Sequence, residues 1–176
     1  MKVVVHILGT RPNFIKAAPL IKRIQKESLR NIIIHTGQHF DYNMSQQFLD
    51  ELGIPKVDYN LGINEGSHTE QIAKIMIACR KILKQINPDL VFVYGDVNSS
   101  LAAALVSKKL DLKLAHIESG LRSFDRGMPE EVNRIIIDAI SDLHFVTCKD
   151  ALVNLQNEGI KSNNCYFVGN TMIDAL

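Results

Sequence analysis

The stretch LVFVYGDVNSSLAAALVSKKLDLKLAHI, residues 90–117, gives the clearest indication of the fold class of this chain. It begins with the apolar run Leu90–Tyr94 and ends with a second run, Lys113–Ile117, and the segment Asn98–Lys109 between them has a helical pattern. Neither run alternates strictly between apolar and polar residues, which is typical of strands that are covered on both faces. Two such strands joined by a helix predict a βαβ unit with parallel strands.

The same alternation of short apolar runs and helical patterns extends over the rest of the 176 residues. The other apolar runs are Val3–Leu8, Ile32–His35, Leu143–Thr147 and Cys165–Val168. The other helical patterns are Asn13–Glu27, Ser67–Asn87, Glu130–Ser141 and Lys149–Glu158. Repeated strand–helix units predict an α/β fold with an open, doubly wound, mostly parallel sheet. The length suits a single domain that covers residues 1–176.

Turn and capping residues add local expectations. Ser67 and Glu70 fit a capping box at the start of the Ser67–Asn87 helix. Pro19 lies inside the first helical pattern and predicts a kink or a restart there. The segment Asp58–Gly66 is expected to be a long loop. The last residues, Thr171–Leu176, look like a helix that has just begun, which suggests a piece cut from a longer protein.

Composition and charge exclude several classes of function. Lys and Arg number 20 against 19 for Asp and Glu, a net charge of +1 that predicts no nucleic-acid binding. No apolar run approaches the roughly 18 residues that a membrane helix needs, and the first residues are too short for a signal peptide. Cys79, Cys148 and Cys165 are far apart and form no CxxC pair, which predicts reduced thiols in the cytoplasm and neither disulfides nor a zinc site.

Candidate binding residues follow from a rule for doubly wound sheets, in which ligands bind outside the carboxyl ends of the strands. Five of the six predicted strand ends carry glycine with polar or charged neighbours, and these are Gly9–Pro12, Thr36–His39, Gly95–Asn98, Glu118–Arg122 and Gly169–Asn170. The dinucleotide motif GxGxxG, the P-loop and HExxH are all absent from the sequence, so neither dinucleotide, P-loop nor metal chemistry is implied.

Three carboxylates belong to this edge of the predicted sheet. Asp96 and Glu118 directly follow buried strands, and Glu130 opens a helix beside Pro129. Carboxylates that converge in a cleft supply general acid and base groups. The simpler alternatives are that Asp96 caps a helix and that Glu130 only complements a helix dipole.

Cationic and imidazole side chains are the other candidates. Arg11 and Lys16 flank the first turn of the first helix, where they suit a phosphate or sugar hydroxyls. Arg122 either binds substrate or pairs with neighbouring Glu118. Gln38 and His39 form either a binding pair or a surface turn. The remaining histidines are expected to be core or solvated residues, namely His6, His35, His68, His116 and His144.

Six motifs together resemble a known family over essentially the whole chain. They are GTRPNFIKAAPL (9–20), TGQH (36–39), GDVNS (95–99), HIESGLR (116–122), MPEEVNR (128–134) and VGN (168–170). In this order they resemble the non-hydrolysing UDP-N-acetylglucosamine 2-epimerases. The resemblance implies the N-terminal half of a glycosyltransferase-B arrangement, in which two Rossmann-like domains face each other across a cleft. The missing C-terminal domain would hold most of the UDP-binding residues, so this half is expected to be inactive alone.

The resemblance also implies a reaction. Family members interconvert UDP-N-acetylglucosamine and UDP-N-acetylmannosamine in the cytoplasm without a cofactor, for cell-surface polysaccharide biosynthesis. They eliminate UDP across C1–C2 to give 2-acetamidoglucal and then add UDP back with protonation of C2 from the other face. Family members tend to form homodimers.

Residue roles are carried over by motif. Asp96, Glu118 and Glu130 match the acid/base carboxylates, and the candidate substrate contacts are Arg11, Lys16, Arg122 and Asn170. Gln38, His39 and Gln71 match a regulatory UDP-N-acetylglucosamine site of bacterial members, although Glu70-Gln71 stands where these often have Arg-Gln. Asn13 stands where many members carry Glu.

Three other functions stay open at this stage. A hydrolysing relative would release UDP and free N-acetylmannosamine, which this half does not distinguish. A binding module that senses a sugar nucleotide would need no acid/base carboxylates. A glycosyltransferase of the same architecture would bind its acceptor here and would not require several carboxylates in these positions.

Overall fold

The computed structural model describes residues 1–37 and 48–174, and within them seven strands form one parallel sheet. The strands are β1 (Lys2–Leu8), β2 (Leu29–His35), β3 (Tyr59–Asn60), β4 (Leu90–Tyr94), β5 (Leu114–Ser119), β6 (Leu143–Val146) and β7 (Cys165–Phe167). The helices are α1 (Arg11–Ile24), α2 (His68–Ile86), α3 (Asn98–Lys109), α4 (Pro129–Ile140) and α5 (Lys149–Asn157), and residues 48–51 are helical as well. The strand order is β3-β2-β1-β4-β5-β6-β7, and every pairing is parallel.

Both faces of the sheet are buried along β1, β2, β4 and β5, as their continuous apolar runs predict. The expectation is wrong for the run Cys165–Val168, because β7 lies at the edge of the sheet and leaves Tyr166 and Phe167 exposed. In β1, Val5 and Ile7 pack into one core with α2, α3 and α4, whereas Val4 and Leu8 pack into a second core with α1. Side chains of a strand alternate between faces, so a strand without polar positions needs helices on each side. The doubly wound, Rossmann-like α/β fold is therefore confirmed.

Three local expectations are wrong. The segment predicted as a loop contains the edge strand β3, whose two residues are too few to give a sequence pattern; Leu61 N donates to His35 O at 2.8 Å beside it. Of the kink or restart predicted at Pro19, the restart is wrong: helix α1 is continuous from Arg11 to Ile24, and Ala17, Ala18 and Ile21 bury its inner face against the sheet. Residues 171–174 form a turn where a helix was expected, and residues 175–176 lie outside the described residues.

Four histidines belong to the core, which confirms their assignment. His6, His35, His116 and His144 are all buried. His6 is stacked on Phe92 at 5.1 Å between ring centroids, its Nδ1 is 2.7 Å from the Tyr94 hydroxyl and its Nε2 is 2.9 Å from Asn31 Oδ1. A neutral imidazole satisfies both contacts, since Tyr94 donates to one ring nitrogen and the other donates to the amide oxygen.

Burial of His6 predicts a loss of stability in mild acid. Burial lowers the pKa of His6 from 6.5 to about 4, against the weaker opposing effect of the Asn31 hydrogen bond. Between these values the unfolded chain binds a proton that the folded chain does not, so the free energy of unfolding falls as the pH drops through this window. One such group contributes a slope of up to about 1.4 kcal/mol per pH unit.

The slope is measured by urea unfolding across this window. His6→Gln is expected to have a shallower slope than the unsubstituted chain, although not a flat one, because burial also lowers the pKa of His35 to about 4. Equal slopes for the two proteins would contradict the assignment to His6.

Two general features complete the fold. Of the helices within the described residues, none is long and apolar enough to cross a membrane. The three cysteines are free thiols, and burial raises the pKa of Cys79 to about 12, which makes it unreactive as a nucleophile.

Candidate functional site

A cavity of about 400 Å³ opens at the carboxyl edge of the sheet, where the strand-end rule predicts a site. It lies between the ends of β1 and β4 and the first turns of α2 and α4. The lining residues are Thr10, Asn64, His68, Gln71, Asp96, Val97, Asn98, Glu130 and Asn133. Most of them are polar, so the cavity suits a hydroxylated or charged ligand better than an apolar one.

Asn13 holds the turn between β1 and α1 against the end of β4. Its Oδ1 accepts from the backbone amides of Gly9 and Thr10 at 3.1 Å each, and its Nδ2 donates to Tyr94 O at 2.9 Å. A glutamate carboxylate could accept the first two bonds but could not donate the third. Asn13 therefore adds a tie between two strand ends that a glutamate at this position would lack. Next to it, the exposed guanidinium of Arg11 lies 4.6 Å from the centre of the Phe48 ring.

Asp96 follows β4 and is held on both its backbone and its side chain by α4. Its carboxylate pairs with Arg134, and its backbone carbonyl accepts from Asn133 Nδ2 at 2.7 Å. The side chain stays partly exposed at the cavity. Val97, not Asp96, is the N-cap residue of α3, and no side-chain cap bond is formed there. The capping alternative for Asp96 is therefore wrong.

Glu118 occupies a bulge in β5. The pairing with β6 shifts register between Ile117 and Ser119, so Glu118 is the extra residue, and its φ of +71° is in the left-handed region. Such strained backbone in a residue other than glycine is concentrated at functional sites. The Glu118 carboxylate forms an ion pair with Lys16 from α1, and both side chains are largely buried.

Gly95 makes room for this ion pair. A Cβ at Gly95 would lie 3.1 Å from Glu118 Oε2 and 3.2 Å from Lys16 Nζ, which is tighter than most real Cβ contacts. The positive φ of Gly95, +60°, also favours glycine. The turn that carries Asp96 is therefore packed directly against the Lys16–Glu118 pair.

The two glutamates of MPEEVNR have different surroundings. Glu130 lines the cavity and has no hydrogen-bond or ion-pair partner within residues 1–37 and 48–174. Glu131 is only 1% exposed and accepts from the backbone amides of Ser123 and Phe124 at 3.0 and 2.9 Å. Burial acts to raise the pKa of Glu131, but these bonds outweigh it and hold the pKa below its usual value. Glu131 thus holds a loop, and Glu130 faces the cavity.

The predicted site residues fall into groups. Asp96 and Glu130 line the cavity together with Gln71, whose Oε1 accepts from Asn98 Nδ2 at 3.2 Å, while Lys16 and Glu118 pack behind Gly95. Asn170 follows β7, away from this cavity, and accepts from Met172 N at 3.0 Å. Gln38 and His39 lie outside the described residues.

Arg122 has protein partners other than Glu118. Its guanidinium is 1% exposed, donates to Asp138 Oδ2 at 2.7 Å, and makes two bonds to Glu158 at 2.7 and 2.5 Å. The alternative pairing with Glu118 is wrong, because Glu118 pairs with Lys16. A substrate contact for Arg122 stays a prediction, and in this structure three of its donor bonds are directed at carboxylates.

Sequence reasoning missed His68 and Asn64 as cavity residues. His68 lies one helical turn before Gln71 at the start of α2, so the two project from the same face, and its Nδ1 is 3.2 Å from Asn98 Nδ2. The three-residue spacing between His68 and Gln71 was the sequence signal that could have identified His68 as a cavity residue. Among the described residues there is no group of three or more His, Cys, Asp or Glu that could hold a metal ion.

The fold and this cleft define a Rossmann-like α/β domain whose ligand edge carries acidic and basic side chains from several strand ends. The profile of the family described as UDP-N-acetylglucosamine 2-epimerase matches residues 22–176. The chain is 51% identical over 98% of its length to a UDP-N-acetylglucosamine 2-epimerase homolog from Methanococcus maripaludis, of which it covers 48%. It therefore belongs to the UDP-N-acetylglucosamine 2-epimerase family.

Two further comparisons bear on substrate and fold. The chain is 46% identical to the UDP-2,3-diacetamido-2,3-dideoxy-D-glucuronate 2-epimerase of Pseudomonas aeruginosa, over 98% of the chain and 49% of that protein. The crystal structure of the Methanocaldococcus jannaschii UDP-GlcNAc 2-epimerase, in complex with UDP-GlcNAc and UDP, matches with a TM-score of 0.95 at 47% identity. That match covers 98% of this chain and 48% of that one. The chain spans about half the length of the relatives that it matches.

Proposed function

We propose that residues 1–176 form the N-terminal domain of a UDP-N-acetylglucosamine 2-epimerase, which interconverts UDP-N-acetylglucosamine and UDP-N-acetylmannosamine. The observation that carries the proposal is the arrangement of carboxylates at one edge of the sheet: Asp96 and Glu130 line the cavity, and Glu118 lies against Gly95 in a strained bulge. Family membership supports the same activity.

The reaction needs a base, a leaving group and an acid. The C2 proton has no adjacent carbonyl, so it is not acidic enough for simple enolisation. Its removal is therefore coupled to departure of UDP: the C2–H pair forms the C1=C2 double bond, and the C1–O pair leaves on the β-phosphate oxygen. Re-addition of UDP at C1, with protonation of C2 from the opposite face, inverts C2. Two faces require more than one acid/base group, and such groups are worth roughly 10²–10⁴-fold each.

The three carboxylates meet that requirement in different surroundings. Glu118 and Asp96 each have a cationic partner, Lys16 and Arg134, whereas Glu130 faces the cavity without one among the described residues. Carboxylates in contrasting environments are suited to opposite roles in proton transfer. A second task for them is to stabilise oxocarbenium character at C1 while UDP leaves.

The cations and amides are assigned to the substrate. Arg11 is exposed at the first turn of α1, where its guanidinium and the positive end of the helix dipole both favour a phosphate. Lys16, Arg122 and Asn170 are further substrate contacts. Gln71, with Gln38 and His39, belongs to a regulatory UDP-N-acetylglucosamine site. A C-terminal domain completes the UDP site, and the whole enzyme is a cytoplasmic homodimer that uses no cofactor.

A second substrate deserves a direct test. The relative from Pseudomonas aeruginosa, at 46% identity, is named for a UDP-2,3-diacetamido sugar acid. Both substrates carry a 2-acetamido group and a UDP leaving group, so the same elimination applies to each. The two candidate substrates are distinguished by incubating each sugar nucleotide with the same protein and comparing the rates of C2 deuterium exchange.

The testing experiment is proton NMR of UDP-N-acetylglucosamine in D₂O, first with this chain and then with the C-terminal domain of a relative added. Deuterium at C2 together with a manno product is the expected result once both domains are present. Free N-acetylmannosamine instead of its UDP form would indicate the hydrolysing relative. No exchange with either substrate in the presence of both domains would contradict an epimerase and favour a binding module.

A further inference from the structure

Asp138 in α4 is a fully buried carboxylate that the proposed reaction does not use. It is 0% exposed and collects four donors from one seven-residue segment at the end of β5. The donors are His116 Nδ1 at 2.6 Å, Ser119 Oγ at 2.5 Å, Gly120 N at 3.0 Å and Arg122 Nη1 at 2.7 Å. Burial acts to raise the pKa of Asp138, but the nearby His116 and the hydrogen bonds from His116, His144 and Ser119 outweigh it and hold the pKa well below its usual value.

The four donors bracket Glu118 on both sides. His116 precedes it by two residues, and Ser119 follows it directly. The left-handed backbone of Glu118 is strained and persists only where its surroundings over-determine it. Bonds to one rigid acceptor from residues before and after the strained position provide that constraint.

The network also reaches the neighbouring strand end. His116 Nε2 donates to Gly95 O at 2.9 Å, so the ring that Asp138 orients is tied to the turn that carries Asp96. His144 Nδ1 lies 2.9 Å from Ser119 Oγ and extends the network to β6. A buried charge is a weak source of net stability, because its desolvation cancels much of its attraction to partners. The four bonds to Asp138 are better explained by the backbone geometry that they impose on the 116–122 segment.

We infer that Asp138 is a positioning residue, which fixes the backbone of the 116–122 segment so that the Glu118 carboxylate meets Lys16 beside Gly95. The catalytic consequence rests on the proposed function. The structural consequence does not, because the placement of Glu118 is a property of this chain alone.

Asp138→Asn and Asp142→Asn make a matched pair. Each removes one negative charge and keeps the side-chain shape. Asp142 accepts from Leu114 N at 2.8 Å and pairs with Lys108 at 2.9 Å, so it ties the beginning of β5 where Asp138 ties its end. An amide at 138 presents one oxygen and one NH₂ group to four donors, so at least one bond is lost.

The kinetic arm uses the two-domain enzyme at a temperature at which all variants are folded. Asp138→Asn is expected to lower kcat by about 10–100-fold with KM changed by less than about threefold, as for a displaced catalytic group. Asp142→Asn is expected to stay within about twofold of the unsubstituted enzyme. Equal kcat values for the two variants would overturn the inference.

The structural arm uses this chain alone and stays decisive if the proposed function fails. In a ¹H–¹⁵N spectrum, Asp138→Asn is expected to shift the amides of Gly95, Glu118 and Gly120, and Asp142→Asn is expected to leave them in place. Unshifted Glu118 and Gly95 amides in Asp138→Asn would overturn the inference. If Asp138→Asn does not fold, Ser119→Ala removes one of the four donors, keeps the charge and should shift the Glu118 amide in the same test.

Discussion

Glu118→Gln is expected to reduce the rate of C2 deuterium exchange in the two-domain enzyme by about 10²–10⁴-fold. The amide keeps the shape of the side chain and can still accept a bond from Lys16, but it cannot take or return a proton. The free energy of unfolding should change by about 1 kcal/mol or less, since one hydrogen bond is retained. Asp96→Asn is expected to have an effect of the same order.

The matched control is Glu27→Gln. Glu27 lies beyond the end of α1, at the opposite edge of the sheet, and pairs on the surface with Arg23 at 3.0 Å. The control should exchange deuterium within about twofold of the unsubstituted enzyme. Both rates are followed by proton NMR in D₂O. Exchange by Glu118→Gln and Asp96→Asn at the unsubstituted rate would refute their roles as acid/base groups.

Gly120→Ala is expected to destabilise the chain by about 3 kcal/mol or more, through a clash and a strained backbone together. A Cβ there would lie less than 3.0 Å from the carbonyl oxygen of Ala151, and the φ of Gly120 is +86°. Helix α5 cannot move away freely, because Asn154 Nδ2 donates to Gly120 O at 2.9 Å. The loss is measured as the change in unfolding free energy in urea.

Gly159→Ala separates the two causes. Gly159 has nearly the same φ, +85°, but a Cβ there would meet nothing within 4 Å. Gly159→Ala should therefore lower the free energy of unfolding only through the strained left-handed backbone, by about 1–2 kcal/mol. If both variants lose the same amount, the close packing of Gly120 against α5 contributes nothing and the first prediction is wrong in its mechanism.

Local patterns predicted the strands well where burial was continuous and failed where elements were very short. β4 and α3 have the predicted bounds, because Leu90–Tyr94 and Asn98–Lys109 are long enough to show their periods. β3 has two residues, and two residues have no period. At Pro19 the local pattern was clear, since proline disfavours the interior of a helix. Burial of the inner face of α1 nevertheless keeps the helix continuous through this residue.

The site was predicted in outline and not in its partners. The strand-end rule selected Asp96 and Glu118 because both follow apolar runs that were predicted as strands, although the structure extends β5 through Glu118 to Ser119. Glu130 was selected separately, because it opens a helix beside Pro129 and matches the family motif, and no role was predicted for Glu131. The structure separates them by burial, which leaves Glu130 at the cavity and Glu131 on the backbone of the 123–124 loop.

Three features could be predicted from the sequence: the fold class, the order of the elements along the chain and the edge of the sheet that carries the carboxylates. Each of these depends on residues close together in the chain, whose apolar spacing and turn chemistry report local burial. The pairing of charged side chains became visible only in the tertiary structure. Lys16 pairs with Glu118, which is 102 residues away in the sequence, and Asp138 accepts hydrogen bonds from residues on both sides of the strained bulge. Such pairings depend on distances in space that no local spacing encodes, because they arise only when strands and helices pack into one sheet.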